Sequence, residues 1–174
     1  MSFVVFPAGP SDAEDLAQVH VRTWRETYRG ILPEAYLARM SAAAHARRWR
    51  QALARPASGE VTLAAADRSG IVGYAGVGPS RSGRAGEAEI HTLYLLRAVQ
   101  GRGLGRELVG DAARLMAARG FTSMMISVLS DNRPARGFYE RLGGAAEPDR
   151  MEPGPAGLAS ETAYLWPDIR KLTG

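Results

Sequence analysis

Between Ala88 and Leu108 an apolar run, a glycine-rich turn and an amphipathic stretch follow one another without a break, an order that few folds accommodate. Ile90 to Leu96 is rich in β-branched and aromatic residues and has strand character. Leu104, Leu108, Ala112, Leu115 and Met116 then recur at helical spacing up to Gly120, a glycine suited to a helix end. The turn between them, Gln100-Gly101-Arg102-Gly103-Leu104-Gly105, therefore joins a strand to a helix.

Three glycines in five positions free the backbone, so the peptide N–H groups can point into one small volume. The first amides of a helix lack intrahelical acceptors and sit at the positive end of its dipole, which suits an anion such as a pyrophosphate. Arg97, Arg102 and Arg106 add positive charge. A tight strand-to-helix turn can also be glycine-rich for packing alone. Two familiar phosphate loops are excluded. A Walker loop needs Gly-Lys-Ser/Thr, and here Arg106-Glu107 follows Gly105. A dinucleotide fingerprint needs a third glycine where Arg106 stands, and needs it early in the chain.

Gln100, Gly103 and Gly105 do fill a different pattern: Gln or Arg, two residues, Gly, one residue, Gly or Ala. Upstream lie Ala88-Glu89-Ile90 and Leu93-Tyr94-Leu95; downstream lie Asn132, Ala135, Phe138-Tyr139-Glu140 and Leu142-Gly143. In that order and spacing the stretch resembles motifs A and B of the GNAT superfamily of N-acetyltransferases. The resemblance implies an α/β (α+β) fold, one domain over residues 1–174, with a mixed central sheet of about six or seven strands flanked by helices. It implies acetyl-CoA as co-substrate, no metal, and direct attack of a primary amine, from a small molecule or peptide, in a ternary complex.

Residue by residue, the resemblance implies that Glu89 is the general base, directly or through water. It places the coenzyme along Leu93, Tyr94 and Leu95, with an amide at Leu95 or a neighbour facing the developing oxyanion. Gln100, Gly101, Arg102, Gly103, Leu104, Gly105 and Arg106 would hold the pyrophosphate. Asn132 would hydrogen-bond the coenzyme, and Tyr139 would protonate or hydrogen-bond the leaving sulfur. Trp24 and Tyr28 would line the acceptor cleft with Glu89; ordinary packing is the alternative for both, and for Tyr139. Similar proteins are commonly dimers, which leaves a homodimer open.

A glutamate within an apolar strand is costly to bury as a charge, so Glu89 needs water, a partner such as a neighbouring arginine, or a catalytic purpose. Partial burial is expected to raise its pKa towards the working range of a base. Strict alternation puts Glu87, Glu89, His91, Leu93 and Leu95 on one face, and Ala88, Ile90, Thr92, Tyr94 and Leu96 on the other. A metal site at Glu89 and His91 is not expected, since no further ligands cluster with them. An alternative function keeps the glycine turn but needs neither Glu89 nor Tyr139: a non-catalytic acyl-CoA-binding sensor or interaction module.

The remaining chain fits one α/β unit of 174 residues. Phe3 to Pro7 reads as a strand, and Pro10-Ser11-Asp12 opens a helix through Leu16, Val19, His20 and Trp24. A second helix is expected from Pro33 through Tyr36, Leu37, Met40, Ala44 and Trp49 to Leu53, then a hairpin of Val61–Ala66 and Ile71–Val77 turning at Asp67-Arg68-Ser69-Gly70. Gly73 and Gly76 mark a bulge or a close approach. Gly78 to Gly86 reads as a loop. Phe121 to Leu129 reads as a strand of a parallel sheet buried on both faces. Asp131 or Asn132 caps a helix that stops at Gly143-Gly144, and Ala145–Met151 and Glu161–Trp166 form a final hairpin around Pro153 to Gly157.

No apolar run is long enough to span a bilayer and no signal peptide is visible, so a soluble, cytoplasmic protein without membrane partners is expected. Zero cysteines exclude disulfides, thiolate metal sites and a Cys nucleophile. The net charge of +4 comes from arginines spread over the chain, a solvated surface rather than a nucleic-acid footprint.

Overall fold

The computed structural model describes residues 2–154 and 156–174. Pro155, in the expected final turn, lies outside the described residues. Eight strands form one sheet: β1 (Val4–Pro7), β2 (Val61–Asp67), β3 (Gly70–Pro79), β4 (Glu87–Leu95), β5 (Ser123–Leu129), β6 (Ala145–Ala146), β7 (Arg150–Gly154) and β8 (Gly157–Trp166). The helices are α1 (Ala13–Thr27), α2 (Glu34–Arg39), α3 (Ala42–Ala54), α4 (Leu104–Ala118) and α5 (Arg133–Arg141). The strand order is β1-β2-β3-β4-β5-β8-β6, with β7 also on β8. Among the eight described strands only β4 and β5 run parallel; their connection is α4, as a parallel pair requires.

Helices cover both faces. Leu104, Leu108, Val109, Ala112, Ala113 and Met116 of α4 pack with Tyr139 of α5 on one face, against Ala75, Val77, Ala88, Ile90, Met124 and Ile126. On the other face Leu16 and Val19 of α1 meet Ala64 and Tyr74, with Trp49 and Leu53 of α3 beside them. Here His20 is hydrogen-bonded to the buried Tyr74 hydroxyl at 2.6 Å and stacks on His45 at 4.5 Å. No helix among the described residues is long and apolar enough to cross a membrane.

Four expectations need correction. The helix expected over 33–53 is two helices. Arg25 donates to the carbonyls of Leu37, Ala38 and Met40, closing the end of α2, while Ser41 is extended and its hydroxyl accepts from the Ala44 N–H to cap α3. The strand expected at Ala145–Met151 is two short strands, both on β8. β5 is buried mainly through Met124, Ile126 and Val128, with Ser127 exposed, because β8 pairs with it antiparallel and one face stays partly open.

The fourth correction matters most. Gly76 pairs with Thr92, but the next residue, Val77, pairs with Ile90, so His91 is an extra residue in β4. Such a bulge resets the side-chain alternation. Ala88 and Ile90 before it, and Leu93 and Leu95 after it, all pack on the α4 side, whereas Tyr94 turns to the α1 side. Gly73 and Gly76 do mark close approach: a Cβ at Gly73 would come within 2.3 Å of Leu95 Cδ2 and 2.9 Å of the Tyr94 carbonyl oxygen.

Gly73→Ala is therefore expected to lower stability by about 1–3 kcal/mol, read as a lower urea midpoint. Burial, reinforced by His45 and Arg48, lowers the His20 pKa from 6.5 to about 4. The unfolded chain takes up a proton there below about 6.5 and the folded chain only near 4, so stability present above that window is lost as pH falls through it. His20→Gln should flatten the slope of unfolding free energy between pH 6.5 and 4, removing a pH-dependent contribution of roughly 3 kcal/mol.

Candidate active site

The ladder between β4 and β5 holds only three pairs, Glu87↔Ser123, Ala88↔Met124 and Glu89↔Met125. Past them each strand stays bound to its outer neighbour, β4 to β3 as far as Leu95↔Gly73 and β5 to β8 as far as Leu129↔Glu161. A wedge thus opens in the middle of the sheet, with Glu89 at its vertex and two inner backbone edges free of each other. The bulge at His91 comes two residues after the last shared pair, and a bulge bends its strand. A peptide-like ligand can pair with such edges as an added strand would.

At the wide end of the wedge, Gly101 and Gly103 have φ of 73° and 87°, the left-handed region, and a Cβ on either would meet nothing within 4 Å. The space outside the turn is open. Gly105 differs: it is helical, and a Cβ there would lie 3.1 Å from Phe138 Cζ and 3.3 Å from Leu95 Cδ1. Two of the three glycines therefore shape the turn and the third seats α4 against α5. The helical ladder starts with the Glu107 N–H donating to the Gly103 carbonyl at 3.1 Å, which leaves the amides of Leu104, Gly105 and Arg106 without helical acceptors. Gln100 Nε2 donates to the Leu95 carbonyl at 2.9 Å, tying the turn to the end of β4. The turn thus suits a diphosphate, and the wedge an amide-bearing arm leading from it.

The Glu89 side chain is 13% exposed. Its Oε2 accepts from the Arg81 N–H at 2.8 Å, and its Oε1 lies 3.4 Å from His91 Nδ1. Burial is the largest single influence and pushes its pKa up; His91, the Arg81 amide and the Arg81 charge together pull it net below the usual carboxylate value. The raised pKa expected from the sequence is thus reversed: at neutral pH Glu89 is a carboxylate.

Three phenols gather with one another. The Tyr28 and Tyr94 hydroxyls are 3.4 Å apart, and Tyr139 interacts electrostatically with both. Burial drives each phenol pKa upward, so all three stay protonated. Tyr139 is 5% exposed and is held by Phe138, Tyr164 and Trp166, at ring distances of 5.3, 5.6 and 6.4 Å. Trp24 packs on Tyr28 at 4.9 Å and on Tyr94 at 6.0 Å. Glu161 of β8 acts on Tyr28; burial first, then Glu152 and Glu89, raise its own pKa.

The sequence-based set is thus brought largely to one wedge, with distinctions. Leu93 and Leu95 turn their side chains to the α4 core and Tyr94 to the aromatic group, so what they offer the wedge is backbone. Leu104 is buried and offers only its amide. Asn132 is buried, and its Oδ1 caps α5 by accepting from the Ala135 N–H at 3.4 Å. Arg106 is exposed, and the charge of Arg102 reaches Asp67 in the β2–β3 turn. Arg97 instead lines a recess of about 460 Å³ beside α1, with Arg22, Arg25, Glu26 and Arg29. Glu161 was missed, although a charged residue opening an apolar strand was a visible signal.

A turn with free helix-start amides, a wedge with free strand edges and an ionised carboxylate at its vertex thus lie together on one α/β sheet. The sequence pattern of the Acetyltransferase (GNAT) family matches residues 21–144. The Bacillus subtilis protein YuaI, named an uncharacterized N-acetyltransferase, is 32% identical over 166 residues, spanning 92% of this chain and 91% of its own. The chain belongs to the GNAT family of acetyltransferases, and its enzyme class is that of the acyltransferases. Solved structures share the fold. The PaiA N-acetyltransferase of Thermoplasma acidophilum, in complex with coenzyme A, matches with a TM-score of 0.70 at 20% identity, over 95% of this chain and 100% of that one. YncA of Salmonella typhimurium, with acetyl-CoA, matches at 0.70 and 16%, over 97% and 95%.

Proposed function

We propose that residues 1–174 act as one N-acetyltransferase domain that transfers acetyl from acetyl-CoA to a primary amine of a small molecule or peptide, by direct attack in a ternary complex. The observation that carries this reading is the wedge between β4 and β5, with a carboxylate at its vertex and an anion-binding turn at its mouth. The coenzyme A and acetyl-CoA found in PaiA and YncA support the donor.

The donor supplies an activated thioester, and the chain's own groups do the rest. Amides of Gly101 to Arg106 hold the diphosphate, the backbone of Leu93 to Leu95 aligns the arm, with an amide at Leu95 or a neighbour towards the reacting oxygen, and Asn132 fixes the start of α5 beside it. Glu89, ionised at neutral pH, receives the ammonium and takes its proton, directly or through water. Tyr139, kept protonated by burial, hydrogen-bonds or protonates the departing sulfur. Trp24 and Tyr28 form the acceptor wall, and the carboxylates of Glu89 and Glu161 favour a cationic acceptor.

Labelled acetyl-CoA offered with polyamines, aminoglycosides, amino acids and peptides bearing free N-termini should acetylate at least one class. Coenzyme binding with no turnover on any amine would instead support a sensor. Glu89→Gln should lower kcat about a hundredfold near neutral pH, less as pH rises and the amine arrives unprotonated, while coenzyme affinity stays nearly unchanged. Equal activity at every pH would place the base elsewhere. Gly103→Glu should abolish coenzyme binding in calorimetry, since it sets a charge and a strained residue where the diphosphate is held.

A further inference from the structure

Acetylation of an ammonium by a thioester yields a neutral amide, a neutral thiol and one proton, so each turnover must release a proton from the site. Glu89 is a poor place for that proton to rest, since its surroundings favour the carboxylate. Its side chain is also largely closed to solvent.

The bulge residue His91 stands next in line. Its side chain is 6% exposed, and among the described residues neither ring nitrogen has a hydrogen-bond partner of ordinary geometry, an arrangement that buried polar groups rarely tolerate. Each nitrogen instead faces a carboxylate. Nδ1 lies 3.4 Å from Glu89 Oε1, and Nε2 lies 3.7 Å from Glu60 Oε1. Glu60, just before β2, is 39% exposed and so reaches water. Gly78 keeps the two side chains together: a Cβ there would come within 2.8 Å of Glu60 Cγ and 3.2 Å of His91 Nε2. Because the carboxylates sit on opposite edges of the ring, they do not converge as metal ligands would, and among the described residues no such ligand group is found. The other charges facing this set are Arg81, whose amide binds Glu89 and whose Nη2 is 3.8 Å from Glu60, and Glu161 of β8, which interacts electrostatically with Glu89.

We propose that Glu89, His91 and Glu60 form a proton relay that carries the proton of the acceptor ammonium from the wedge to solvent. The proposal rests on the base role given to Glu89 above. The steps balance: the ammonium gives its proton to the Glu89 carboxylate, Glu89 passes it to Nδ1 of His91 carrying its proton on Nε2, and the imidazolium releases the Nε2 proton to Glu60, which loses it to water. A ring turn with proton exchange to water restores the Nε2–H tautomer before the next turnover. An imidazole suits the middle position because it gains and loses protons near neutrality through two different nitrogens. His91 is thus a positioning and relay residue; it acts through Glu89.

Two measurements on the intact chain test this. The chain has three histidines, so the ring signals can be followed by nitrogen-15 NMR and the His91 signal assigned by its loss in His91→Gln. Without any ligand, Glu60→Gln and Glu89→Gln should each move the His91 ring nitrogen signals, because each removes the carboxylate that one ring nitrogen faces. Signals that move in neither variant overturn the relay. With acetyl-CoA and the amine from the panel that turns over fastest, Glu60→Gln and His91→Gln should lower kcat about tenfold near pH 6. The loss should fade towards about pH 9 as the amine arrives unprotonated, with the acetyl-CoA KM unchanged. Loss of equal size at every pH would mean a merely structural role and sink the proposal. Full activity in both variants beside a depressed Glu89→Gln would remove the relay alone. Full activity in Glu89→Gln, or no turnover on any amine, would remove it together with the reading it rests on.

Discussion

Because Gly76 faces Thr92 while its neighbour Val77 faces Ile90, His91 has no partner across the ladder, and β4 must bend where the chain inserts it. That bend comes two residues after Glu89, the last residue of β4 in register with β5, and past Glu89 the two parallel strands part and the sheet opens at its centre. The same insertion switches the side-chain alternation, sending Leu93 and Leu95 to the α4 core and Tyr94 to the aromatic group around Tyr28. The wedge, the exposed strand edges and the placement of the aromatic wall are thus consequences of a single backbone irregularity, which the flanking glycines at 73 and 76 make sterically feasible.

Electrostatics then sorts the titratable groups within the wedge. Burial pushes every one of them towards its neutral form. Glu89 escapes because an amide, an imidazole and a guanidinium compensate for its desolvation, whereas the phenols of Tyr28, Tyr94 and Tyr139 have no comparable compensation and remain protonated. Environments that push neighbouring pKa values apart divide proton acceptors from proton donors, a division that acid–base chemistry on one small volume requires.

Much of this was legible in the sequence. The glycine turn, its helix, the β2–β3 hairpin and the Asn132 cap follow from local chemistry, and the structure has all of them. What was not legible depends on contacts distant in sequence. The break between α2 and α3 needs Arg25, from the preceding helix, to take three carbonyls. The alternation in β4 fails because its bulge is defined by the partner strand, which periodicity within β4 cannot reveal. The direction of the Glu89 pKa depends on Arg81 and His91 folding onto it, and the approach of Glu161 to Tyr28 requires β8 to lie beside β5. Within the glycine turn, the packing of Gly105 against Phe138 and Leu95 likewise depends on distant residues.

The position of β8 has a consequence for how the molecule assembles. β5 has only a three-pair ladder on one side, so most of its edge is stabilised by a strand that follows it only after α5, β6 and β7. β8 also supplies Tyr164, whose hydroxyl bridges Arg136 and Glu140 of α5, and Trp166, whose indole N–H donates to the Leu142 carbonyl at 2.9 Å. Pairings between such distant segments close large loops and form slowly. During synthesis the amino-terminal strands and α4 can gather first, yet the helix that carries Tyr139 gains its anchor only when β8 has docked. Tyr139 is therefore seated only in the closing stage of maturation, and a nascent chain still lacking β8 leaves both edges of β5 open beyond the Glu89↔Met125 pair.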